Sequence, residues 1–128
     1  MKPGAHIVVV GAARLYAPLI LMFALTLLAA RAPGSGVGFA MGLAFALGLV
    51  LHALVFGAAA MRAACPPVMM RLLLAAGVIA ALGGAGTPGL RFSPQAVEAG
   101  LALATAAGAS VVVTVLFGRA PTLRDADW

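Results

Sequence analysis

Glu98 is the only carboxylate side chain in this 128-residue chain before its last four positions. Its neighbours are Ala, Val, Gly and Leu, so the charge sits in an apolar setting. Such an acid is expensive there and generally has a partner or a task. A lone carboxylate can receive a cation or a proton, but it does not define a route through a membrane by itself. His52 is the second candidate. It lies deep in another apolar run, and an imidazole can relay protons or simply bond to a neighbouring helix. A structural histidine is the more economical reading of a single His at such a place. Cys65 is the sole cysteine, which excludes an internal disulfide, and no His or Cys spacing suggests a metal set. Its position near a helix end reads as a small apolar residue. His6, near the start, reads as solvated. No phosphate loop, nucleophile elbow, zinc motif or dinucleotide fingerprint is present. We therefore expect no metal, no cofactor and no enzymatic activity from this chain alone.

The elements that must position these residues follow from composition. Apolar residues make up 64% and charged residues 9%, with a mean hydropathy of +1.15. Soluble domains are about half apolar and a quarter charged. The chain reads as an all-α integral membrane protein, one domain with the lipid bilayer as its solvent. The net charge of +5 does not indicate nucleic acid, because the basic residues stand singly at the ends of apolar runs.

Four runs are long enough to cross a hydrocarbon core of ~30 Å at ~1.5 Å per residue. They cover about Ile7–Ala30, Gly38–Met61, Val68–Gly86 and Pro94–Phe117, with a polar tail over 118–128. The first has the look of a signal peptide but continues into further spans, so a retained helix is expected, kinked at Pro18. The connections are short and rich in Gly and Pro: Arg31 to Gly36, Cys65-Pro66-Pro67, and Gly86 to Phe92. Placing both termini in the cytoplasm puts Lys2, Arg14, Arg62, Arg71, Arg119 and Arg124 there and leaves Arg31 and Arg91 outside. That asymmetry predicts an N-in, C-in topology.

Ser93-Pro94 has the form of a helix start, with Ser as cap and Pro in the first turn. Glu98 then falls about one turn inside, where the positive end of that helix favours a carboxylate and Arg91 offers an ion-pair partner. The competing readings are a cation or proton station and a contact to a neighbouring membrane protein. Rows of small residues on one face (Gly38, Gly42 and Ala46; Ala76, Ala80 and Gly84; Gly100, Ala104 and Gly108) predict close helix packing. The hydroxyls of Thr26, Thr105, Ser110 and Thr114 lie mid-helix and can bond back to their own carbonyls.

Two segments carry a resemblance. Pro18-Leu-Ile-Leu-Met-Phe, followed by Ala32-Pro33-Gly34-Ser-Gly36-Val-Gly38-Phe39-Ala-Met-Gly42, resembles the glycine loop of the B-type small subunits of Mrp-type (Mnh) multisubunit sodium/proton antiporters. Phe92-Ser93-Pro94-Gln-Ala-Val-Glu98-Ala-Gly100 is similar to the Phe-Thr-Pro segment opening that family's last helix. Here the loop carries about two extra residues, and Glu98 replaces the usual Asp. The resemblance implies a bacterial inner-membrane protein and a small assembly or accessory subunit of a hetero-oligomeric antiporter. Na+ and H+ would be handled at the level of the complex, mainly by larger subunits. It also leaves open a membrane subunit of a related hydrogenase. A self-assembling small transporter would want more intramembrane polarity than His52 supplies.

Overall fold

The structure is a computed structural model that describes residues 3–30 and 35–118, with the side chains of the first helix from Ile7 onward. The positions Pro33 and Gly34, the charges at Lys2 and Arg31, the His6 side chain and the tail from Arg119 lie outside the described residues. The described residues form four helices: α1 (Pro3–Ala30), α2 (Val37–Ala64), α3 (Pro67–Gly86) and α4 (Ser93–Phe117). Each is long and apolar enough to cross a membrane, so this is a multi-pass transmembrane protein.

The principal packing runs in the order α1, α2, α4, α3. Glycines set how closely the inner helices meet. A Cβ at Gly100 would strike the backbone of Gly77 and Ala81 on α3, and one at Gly84 would strike Ser93 and Val97 on α4. A Cβ at Gly42 would lie 2.5 Å from that of Thr105. These contacts fix directions. α4 runs antiparallel to α3 and parallel to α2, so the end of α2, the start of α3 and the end of α4 share one face of the bundle. On α3 the contact row is Gly77, Ala81 and Gly84 rather than Ala76, Ala80 and Gly84. Ala76 is exposed. Both rows satisfy a helical repeat, and only the crossing with α4 selects between them.

α1 is attached differently. It keeps helical backbone through Pro18, as membrane helices can when neighbours compensate the lost bond. Ala13 and Ala24 are buried, whereas Leu15, Tyr16, Leu19, Met22, Phe23 and Leu25 are exposed. Its apolar surface is therefore largely left for lipid or another protein.

α2 departs from the single straight span expected over Gly38–Met61. Gly57 sits at φ 85°, ψ 165°, inside the helix, a conformation essentially reserved for glycine. A straight helix would carry Cys65 about 24 Å beyond Leu49 at ~1.5 Å per residue. Instead Cys65 and Ala64 line the same cavity as Leu49 and Phe45. The chain turns back at Gly57. Val37–Phe56 alone is long enough to cross, at roughly 30 Å, and Ala58–Ala64 is a short return segment. Met61 on it and Cys65 just after it join the apolar cluster of Leu49, Ala53, Met70 and Val113.

Candidate functional site

The start of α2 and the first turns of α4 meet at Glu98. The residue is 7% exposed. Oε1 accepts the Gly36 N–H at 2.9 Å, and Oε2 accepts the Gly38 N–H at 2.6 Å. Both oxygens act as acceptors of backbone amides. Gly36 adopts φ 75°, ψ 14° as the residue preceding α2, a left-handed turn that glycine enters without penalty. That turn aims the first amides of α2 at the carboxylate. These amides have no partner within their own helix, and in a low-dielectric setting leaving them unbonded is costly.

The approach is backbone-close. A Cβ at Gly38 would overlap the Glu98 carbonyl group, so only glycine allows α4 to come near enough for its own side chain to curl back onto α2. Glu98 therefore serves the positive end of α2, not that of the helix it belongs to. Local sequence points to the dipole of α4, because the Ser93-Pro94 start lies a turn away. The pairing with α2 spans sixty residues and leaves no local mark.

Arg91, the expected ion-pair partner, is elsewhere. It lines a depression of the α3–α4 turn with Thr87, Leu90 and Phe92 and makes no ion pair among the described residues. Ser93 does not cap α4 through its side chain. Its hydroxyl instead donates to the Gly84 carbonyl, satisfying an acceptor in the last turn of α3. Pro94 occupies the first turn of α4. Phe39 and Phe92, the aromatics of the two motif segments, are 52% and 73% exposed and contribute little to the chain's own core. Gly42 and Gly100 sit at the α2–α4 and α3–α4 crossings respectively.

His52 lies far from Glu98, in the last part of the crossing stretch of α2. Its ring stacks at a tilt on Phe56, with centroids 4.8 Å apart. It faces a cavity of about 200 Å3 bounded by Ala17 and Leu21 of α1, Phe45 and Leu49 of α2, and Cys65. The two titratable groups that stand out in the sequence are thus not brought together. The hydroxyls between their levels are occupied: Thr105 donates to Leu101 O at 2.6 Å and Ser110 to Ala107 O at 2.8 Å. Among the described residues no group of three or more His, Cys, Asp or Glu could hold a metal, and no buried side-chain polar atom lacks a partner.

What the site can do chemically is hold. Two amides and one carboxylate tie the α1–α2 connection to α4 within the apolar bundle. Sequence reasoning misses the amide donors. The available signal is the glycine spacing at Gly36 and Gly38, which marks both a left-handed turn and a close approach. No family model, no curated protein and no solved structure matches this chain.

Proposed function

We propose that this protein is a small accessory subunit of a multisubunit monovalent cation/proton antiporter, packed among larger ion-translocating subunits of a bacterial inner membrane. Its termini lie on the cytoplasmic side, where the excess of Lys and Arg belongs. One observation carries the reading. The two segments that resemble the B-type antiporter family form a single structural unit, in which Gly36 and Gly38 of the first bind Glu98 of the second.

The chemistry of that unit favours an assembly role over a transport station. A carboxylate that is 7% exposed and accepts two amides is engaged in holding the start of α2, and an arriving cation would compete with those donors. The exposed Phe39 and Phe92 flank the unit with aromatic surface suited to a neighbouring protein of the complex. The outward side of α1 adds a broad apolar face that its own fold does not use.

The deciding experiment is isolation of the tagged protein from its native membrane in mild detergent, with Glu98→Gln in parallel. Larger membrane proteins of the antiporter should copurify with the wild type, and complex yield and antiport should fall together in the variant. Normal yield with full sodium/proton exchange in Glu98→Gln would remove the carboxylate from the function. Copurification of hydrogenase subunits would reassign the complex.

A further inference from the structure

The turn between α3 and α4 presents a cation at a defined depth. α3 covers Pro67–Gly86, which spans roughly 30 Å, the thickness of a hydrocarbon core. The turn that follows it therefore emerges at the level of the lipid headgroups. It is braced from inside. The Thr87 N–H donates to Gly84 O at 3.3 Å, the Leu90 N–H to Thr87 O at 3.1 Å and the Ser93 N–H to Leu90 O at 3.1 Å. The hydroxyls of Thr87 and Ser93 donate to the Gly83 and Gly84 carbonyls of α3. Leu90 and Phe92 nonetheless expose apolar side chains, which suits a turn lying against lipid rather than free in water.

Arg91 is exposed on this braced turn and makes no ion pair among the described residues. The exposed Arg62 and Arg71 lie toward the opposite face of the bundle. Beside Arg91 the seam between α3 and α4 opens into a depression of about 530 Å3, bounded by Ala80, Gly83, Thr87, Leu90, Phe92 and Ala96. Among the described residues no acidic side chain lines it. Its α3 side is built of small residues. A Cβ at Gly83 would meet nothing within 4 Å, and Ala80 lies about one turn deeper in the membrane.

We propose that this depression is a binding site for an anionic phospholipid. The Arg91 guanidinium pairs with the headgroup phosphate, which its planar fork of donors matches. One acyl chain runs from the turn over Gly83 and Ala96 toward Ala80. A zwitterionic lipid fits less well, because its cationic group finds no carboxylate in the depression. The site requires only that the helices cross a bilayer, and it stands apart from the antiporter assignment.

The test uses the full chain in liposomes of mixed phosphatidylglycerol and phosphatidylcholine. A trace of one lipid or the other carries a photoreactive diazirine in one acyl chain. Adducts are read by mass spectrometry on the peptides that carry Gly83 and Ala96. The phosphatidylglycerol probe should label them about fivefold more than the phosphatidylcholine probe, the advantage that one basic side chain confers toward an anionic lipid. In Arg91→Gln the two probes should label equally. Arg91→Lys should restore a preference, and Arg71→Gln, toward the opposite face, should leave it unchanged. Gly83→Leu, whose Cβ meets no other atom of the fold, should occupy the depression and lower phosphatidylglycerol labelling about fivefold. Equal labelling by the two probes in the wild type overturns the site. So does a preference that survives in Arg91→Gln or falls equally in Arg71→Gln, or labelling that Gly83→Leu leaves unchanged.

Discussion

The two ends of α2 use glycine for opposite purposes. At its start, Gly36 and Gly38 let a neighbouring helix come within backbone contact, and a buried carboxylate locks the approach with two hydrogen bonds. At its far end, Gly57 breaks the helix and leaves a short segment held by apolar contacts. In water both ends would be stabilised by burial. In lipid the apolar end gains little from that, whereas amides kept from water gain strongly from a fixed acceptor. The Glu98 end is therefore the more strongly held of the two.

This contrast breaks or sharpens with substitutions read by reversible unfolding in mixed micelles. The largest effect belongs to the crossing beside the Glu98 end. Gly100→Leu forces α4 away from the backbone of Gly77 and Ala81 and should cost about 3 kcal/mol or more, at the upper end of overpacking. Glu98→Ala leaves the Gly36 and Gly38 amides unbonded and should cost about 3 kcal/mol, and Glu98→Gln, which keeps one acceptor, about 2 kcal/mol. Gly57→Ala should cost only about 1 kcal/mol, the lower end of the range for a strained backbone position, because the short segment beyond it is held by apolar contacts that lipid can replace. If Gly57→Ala proved as damaging as Glu98→Ala, the two ends would be equally strongly held and the contrast would be lost. Arg91→Gln is the control. With no ion pair to lose among the described residues, it should stay within about 0.5 kcal/mol of wild type, and a larger loss would reinstate Arg91 as a partner of the site.

The membrane-crossing helices are legible in the sequence because hydropathy is a local property and each run is separated by Pro or Gly. Glu98 is legible as the one odd charge, but its role is not. Position within α4 suggests that helix's dipole and Arg91, both nearby in sequence, while the true donors are sixty residues away. The small-residue row on α3 is misplaced for the same kind of reason. Ala76 and Ala80 fit a helical repeat as well as Gly77 and Ala81 do, and abundance of Ala and Gly leaves the face undecided. Gly57 is hidden because a single glycine in an apolar run is compatible with an unbroken helix.

By itself the sequence determined that the backbone must close its hydrogen bonds inside helices that cross a bilayer, since hydrocarbon offers no alternative partners. The tertiary structure alone decided which amides Glu98 receives, which glycines lie at crossings and where α2 turns back. Those outcomes depend on how α2, α3 and α4 register against one another. The register is set by side chains and backbones meeting across space, and nothing in the local repeat of any one helix encodes it.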